Sequence, residues 1–202
     1  MQSSNRLPKA EPKSGALICI DRSESPAIAA LPQQLHNPSH VEAPRMFTLR
    51  HNILVRAPIA RCFALSSSVA IVERELGMHP VEGRTGGLVT AGDTVRWEGM
   101  QLGFFNYHVS IIVPETWNPP HFFQDRMIAG RFRSFEHDHR FSEITGGTLL
   151  EDKVRFTMPL GGAGRLVGRF VLVPHILGLM RRRFNLLKRL AETGEWRDYI
   201  PE

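Results

Sequence analysis

Between Leu166 and Ala191, apolar residues recur at alternating spacings of four and three: Leu166, Phe170, Val173, Leu177, Met180, Phe184, Leu187 and Ala191. That spacing lays one apolar stripe along a helix of about seven turns. A stripe this long must be buried against another layer. The preceding hundred or so residues alternate with period two, so the partner is a sheet. Pro174 stands inside the stripe, and its ring blocks the backbone bond to residue 170, which predicts a kink there.

The first alternating segment carries Phe47, Leu49, His51, Ile53 and Val55 on one face. Ala57-Pro58 ends it and starts a short helix with Ile59 and Phe63 on one side. Ser66-Ser67-Ser68 stops that helix and caps a second, which closes at Gly77. Further strands are expected over 94–99, 105–113, 122–128, 134–143 and 148–157. Their connections are short, so neighbours are antiparallel. In the second of these, Phe105, Tyr107, Val109, Ile111 and Val113 form the longest alternating run. It is read as an inner face, with His108 outside.

Charge suggests a register for the last pair. If Thr145 faces Thr148 across Gly146-Gly147, Asp138 lies opposite Arg155, and Arg140 lies opposite Lys153 and diagonal to Glu151. The other face then sets Phe135, His137, His139 and Phe141 against Met158, Phe156, Val154 and Asp152. A one-residue slip would invert every side chain.

Residues 1–45 differ from the rest. They hold six prolines among many Ser, Asn and Gln, with no lasting period, and are expected to form a disordered N-terminal tail. Order is expected from Met46, which also suits a chain begun there; residues 46–200 form one domain. The remaining composition is ordinary, with 42% hydrophobic residues. Cys19 and Cys62 stand in unrelated contexts, which excludes a disulfide framework and suits a reducing, cytoplasmic setting. No signal peptide or membrane-spanning helix is expected; the best candidate, 166–180, contains Arg169 and Pro174. The net charge of +5 is concentrated late, in Arg165, Arg169, Arg181, Arg182, Arg183, Lys188 and Arg189. These are read as the solvated side of the helix, with transient contact to anionic membrane as the sharper alternative. No nucleic-acid motif accompanies them.

Polar residues on apolar faces are the candidate chemistry. His137 and His139 are two apart on a strand between Phe135 and Phe141, so both point inward. His51 and Asp152 interrupt other inner faces. Such groups need each other or a ligand, because an unpaired buried polar atom costs about 1–3 kcal/mol. Three readings stay open: a structural hydrogen-bond cluster, a polar anchor for a ligand, and a general acid–base pair built on His137, His139 and Asp152. A metal shared by the two histidines needs a third ligand from His51, Asp152 or Asp125, and no metal or other cofactor is expected. His79, His108 and His121 are read as surface residues.

The order of elements resembles the helix-grip fold of the START/polyketide-cyclase superfamily, also called SRPBCC. The resemblance spans about 46–200. It rests on Gly92-Asp93-Thr94-Val95-Arg96-Trp97-Glu98, on Phe135 to Phe141 with its Phe-x-His-x-His-x-Phe pattern, on Gly147-Thr148-Leu149-Leu150-Glu151-Asp152, on Met158-Pro159-Leu160-Gly161, and on the basic C-terminal helix. It looks like a largely uncharacterised bacterial subgroup. It implies an α+β fold: a strongly curved antiparallel sheet of about six to seven strands wrapped around a long C-terminal helix, with two short helices after the first strand. It also implies an apolar or amphipathic ligand (lipid, quinone or polyketide-like) between sheet and helix. The alternative it implies is a cofactor-free cyclase or dehydratase in the same cavity. Besides the polar residues, the expected lining is Trp97, Phe105, Tyr107, Phe123, Phe135, Phe141 and Phe156 from the sheet, with Phe170 and Leu177 from the helix.

Overall fold

The computed structural model describes residues 17–19 and 46–200. The strands are β1 (Leu17–Cys19), β2 (Phe47–Val55), β3 (Met78–Gly83), β4 (Thr94–Gln101), β5 (Phe104–Ile112), β6 (Phe122–Ala129), β7 (Ser134–Ile144) and β8 (Gly147–Thr157). They make one antiparallel sheet in the order β1-β2-β8-β7-β6-β5-β4-β3. Helices α1 (Ile59–Ser66) and α2 (Val69–Leu76) follow β2. The chain ends in α3 (Gly161–Val167), a wide π turn (Gly168–Leu172) and α4 (Val173–Glu192), which crosses the concave face. This is the expected helix-grip layout.

Two elements were not anticipated. Leu17–Cys19 pairs with Thr48–Arg50 inside the segment expected to be a tail; the rest of 1–45 lies outside the described residues. β3 carries Pro80, which sequence patterns disfavour in a strand. It is tolerated because β3 is the sheet edge, where its missing N–H faces no neighbour. Gly77 closes α2 in the left-handed conformation as expected, with φ 62°.

The β7–β8 register is two residues tighter than the charge argument gave. Ile144 pairs with Gly147, so the turn is Thr145-Gly146 alone, with Gly146 at φ 94°. A two-residue shift preserves which face each side chain takes, so the inner set is unchanged. Its cross-strand partners change: Asp138 faces Lys153, Arg140 faces Glu151, and Glu136 faces Arg155. Each charge thus meets its opposite directly, a better solution than the looser loop. Arg155 still reaches Asp138 diagonally at 3.0 Å and holds Glu136 at 2.9 Å.

Face assignment failed on β5. Val95 and Trp97 of β4 point inward, and they pair with Ser110 and His108. His108, Ser110 and Ile112 therefore face the interior, while Phe105 (56% exposed) and Tyr107 (41%) face out. The apolar run covers the outer surface of this wing instead.

The helix stripe holds only in its second half. Leu177, Met180, Phe184, Leu187 and Ala191 are buried, whereas Leu166 and Phe170 are 62% and 68% exposed. The π turn is the cause. It opens next to Pro174, absorbs the backbone bond that proline cannot make, and inserts one residue into the helical register. Before it, Gly164 and Gly168 face the sheet instead. Gly168 passes so close to Phe47 that a Cβ there would lie 2.7 Å from the ring. The apolar exposed half matters for another expectation. By length and composition alone the helix Gly161–Glu192 is long and apolar enough to cross a membrane, a test that a core helix also meets.

The core has two parts. One lies under α1, α2 and the end of α4, around Phe63, Trp97, Phe123, Phe141 and Phe184. The other lies under the start of α4, around Leu49, Phe156, Ile176 and Met180. The candidate polar residues sit between them.

The turn geometry predicts a contrast. Gly147 has φ 147°, and a Cβ there would meet the Val55 carbonyl oxygen at 2.1 Å, while one at Gly146 meets open space. In urea denaturation, Gly147→Ala loses about 2–4 kcal/mol by strain plus clash. Gly146→Ala loses about 1 kcal/mol.

Candidate functional site

Adjacent strands set the site. Asp152 of β8 lies directly between His51 of β2 and His139 of β7. One rung along, His137 lies between Val154 of β8 and Asp125 of β6. Because alternate residues share a face, the period of two delivers all five polar side chains to the concave side.

His139 is held from both sides. Its Nδ1 is 2.9 Å from Asp152 Oδ1, and its Nε2 is 3.1 Å from Asp125 Oδ2. Its ring stacks on Phe123 at 4.4 Å. His137 mirrors this arrangement more loosely. Its Nε2 is 3.1 Å from Asp152 Oδ2, and its Nδ1 is 3.8 Å from Asp125 Oδ2. The 3.1 Å contact is off the line of a hydrogen bond, and both atoms are otherwise buried without one. So Asp152 offers one oxygen to each imidazole, and the opposite nitrogens turn toward one oxygen of Asp125.

Arg183 completes the cluster from α4. It is 4% exposed, donates to Glu75 Oε2 at 2.7 Å and to the Ser66 carbonyl at 3.0 Å, and stands 3.7 Å from Asp152 Oδ2. Its position overturns the reading of Arg183 as part of a solvated face; Arg181 and Arg182 do lie exposed. A signal was present. Of the three consecutive arginines, only Arg183 falls within the apolar stripe, three residues after Met180 and four before Leu187. Glu75 carried no such mark, because α2 is too short for its faces to be told apart.

Electrostatics follow from burial against pairing. Burial alone would push Asp152 up, but the charges of His139 and His137, with the His139 hydrogen bond, hold it well below the usual carboxylate range. Asp125 is lowered too: burial opposes this, and the His139 hydrogen bond and both imidazole charges outweigh it. Burial would lower His139, but Asp152 and Asp125 raise it. Burial pushes the Glu75 carboxyl up despite Arg183.

Two neighbouring cavities open on this cluster. The first, about 130 Å³, is walled by Trp97, Phe123, Val69 and Ile112, with Asp125, His137, His139 and Arg183 as its polar side. The second, about 160 Å³, runs toward the surface between Tyr107, Met127, Val154, Ile176 and Met180. Phe135, His137 and His108 border both.

Of the residues expected to line a pocket, Trp97, Phe123, Phe135, His137 and His139 border the first cavity, and Tyr107 borders the second. Asp152 lies behind the histidines, and His51 packs on Phe184 at 5.1 Å between ring centres. Phe141, Phe156 and Leu177 are core residues. Phe105 and Phe170 lie exposed and border neither cavity, through the β5 inversion and the π turn. His108, expected outside, borders both; His79 and His121 are exposed as expected.

No family model matches this sequence, and no curated protein is detectably similar to it. Solved structures do match. A Staphylococcus aureus protein of unknown function superposes with a TM-score of 0.58 at 10% identity, over 75% of this chain and 97% of its own. The Zhui aromatase/cyclase from Streptomyces sp. R1128 gives 0.56 at 14% identity, over 74% and 98%. The di-domain aromatase/cyclase StfQ from the steffimycin biosynthetic pathway gives 0.54 at 15% identity, over 73% of this chain and 51% of that one. The chain has a helix-grip fold, which it shares with these two aromatase/cyclases. At these identities the likeness is one of fold, and the site must speak for itself.

The buried charges predict a stability signature. Arg183→Met strands Glu75 and leaves Asp152 less compensated, which costs about 3–5 kcal/mol in urea denaturation. Adding Glu75→Gln recovers part of that loss, and the double-mutant cycle gives the coupling.

Proposed function

We propose that the protein binds a small apolar molecule carrying one oxygen, and holds that oxygen at His137. The observation that supports this is the junction: two apolar compartments meet at His137, whose Nδ1 lies 3.8 Å from Asp125, beyond hydrogen-bond reach. Size narrows the ligand. A dry cavity of about 150 Å³ accommodates one benzene ring, and these compartments measure about 130 and 160 Å³. Together they approach the lower end of small-molecule pockets, near 300 Å³. That suits a two-ring aromatic with a hydroxyl or carbonyl group better than a sterol or a long acyl chain. The apolar walls supply affinity, and one polar contact supplies orientation.

A second reading, a cyclase- or dehydratase-type enzyme, has its own observation. His137 borders the cavity while Asp152 sits 3.1 Å behind its Nε2, an arrangement in which a carboxylate orients an imidazole for proton transfer. The two aromatase/cyclases that share the fold lend it plausibility by analogy only.

Two probes test the binding reading. Trp97 walls the first cavity and reports occupancy by its fluorescence. 2-Naphthol is expected to bind at least tenfold more tightly than naphthalene. His137→Phe is expected to erase that preference, since one lost hydrogen bond plus an orphaned partner is worth roughly 1.5–3 kcal/mol. If neither compound binds, or if the preference survives in His137→Phe, the reading fails.

A further inference from the structure

We infer that Asp125, His137 and His139 form a binding site for a divalent transition-metal ion at the junction of the two cavities. The sequence alone leaves the third ligand to His51, Asp152 or Asp125 and predicts no metal, because that ligand depends on how the strands meet. The structure supplies one from the neighbouring strand. One donor atom from each of the three side chains lies within 4.8 Å of the others. His139 Nε2 and Asp125 Oδ2 are 3.1 Å apart. Ligand atoms about 2.0–2.1 Å from a shared ion lie about 3.3 Å apart in a tetrahedron, so this pair already has ligand spacing. His137 Nδ1, at 3.8 Å from the same oxygen, lies about 0.5 Å beyond that spacing.

The surroundings fit as well as the ligands. A metal-binding imidazole is usually oriented by a carboxylate on its other nitrogen. Asp152 does this for both rings at once, with Oδ1 behind His139 Nδ1 at 2.9 Å and Oδ2 behind His137 Nε2 at 3.1 Å. Asp152 is buried and its Oδ2 has no hydrogen bond. Charge points the same way. Glu75 and Arg183 pair with each other at 2.7 Å, which leaves two aspartates facing two imidazoles. Arg183, 3.7 Å from Asp152, is an opposing cation.

Two histidines and one carboxylate on one side of an ion leave its other side open, here toward the cavities. That is the donor set of catalytic zinc and of non-haem iron(II), not of a closed structural site. A hydroxyl or carbonyl oxygen of a bound molecule would take the open position. The inference does not depend on that molecule, and its test uses metal alone.

Tag-free protein, treated with chelator and dialysed, is titrated calorimetrically with Zn²⁺, and with Co²⁺ while visible absorption is followed. One ion per chain is expected, with a cobalt spectrum of tetrahedral or five-coordinate type. Asp125→Asn and His137→Gln each weaken binding by at least about 100-fold. Asp152→Asn weakens it about 10–100-fold and keeps one site. His79→Ala removes the exposed His79–Glu73 pair and leaves binding unchanged. Near-UV circular dichroism shows that each variant is folded, and Asp125→Asn preserves shape if His137→Gln does not fold. The inference is overturned if the folded wild type takes up no stoichiometric ion, or if Asp125→Asn binds as well as wild type. It is also overturned if His79→Ala loses the site. The naphthol experiment is run on chelator-treated protein without metal, so the two readings fail separately.

Discussion

The carboxylate of Asp152 is the interaction around which the interior is arranged. It is 4% exposed at the centre of β8, between His51 on one side and His139 on the other. An ionised group there is costly unless paired, because the effective penalty for burying one ion is several kcal/mol. The pairing comes from three directions: His139 and His137 across the strand pair, and Arg183 from the helix. Arg183 in turn needs Glu75, which brings the end of α2 over the sheet. One buried charge thus ties β8, β7, α2 and α4 together and separates the two apolar halves of the core.

That dependence explains which parts of the structure were legible. The period of two put His137, His139 and Asp152 on one face regardless of the turn, because a two-residue shift in register changes partners and not faces. Opposite charges on the outer face argued for a register, but they were consistent with more than one. The tighter Thr145-Gly146 turn decided it, and with it the direct pairing of His139 with Asp152. Hydrophobicity gave the right strands and, on β5, the wrong face. Phe105, Tyr107, Val109 and Ile111 look like a core stripe, yet Trp97 on the neighbouring strand sets which side is inside, and it faces His108. Strand alternation reports that there are two faces. Which one is buried is a property of the sheet.

The helix shows the same limit from another cause. Its spacing of four and three was read as continuous, with a kink at Pro174. The backbone answers proline with a π turn, which inserts a residue and rotates everything before it. Phe170 leaves the interior for that reason, and Gly168 packs against Phe47 instead. Arg183 was hidden differently. Beside Arg181 and Arg182 it reads as one of a charged run, and only the stripe separates it.

Stability alone is a poor reason for such a cluster. Buried ion pairs can often be replaced by well-packed apolar side chains with no loss of stability or with a gain. The inner face of this sheet offers such replacements on every side: Phe123 and Phe141 next to His139, Val154 next to His137, Leu49 and Ile53 next to His51. A cluster kept only for structure would also close on itself. Here the pairing is closed at the back and open at the front. Asp152 lies behind the imidazoles, whereas Asp125, with 27% of its side chain exposed, faces the cavity. A structural network needs Asp152 and has little need of Asp125 at the cavity wall. An anchor for an oxygen or an ion needs the reverse: a rigid brace behind and an unsaturated acceptor in front. The asymmetry between the two aspartates is therefore the feature that sets a binding site apart from a buried patch of charge.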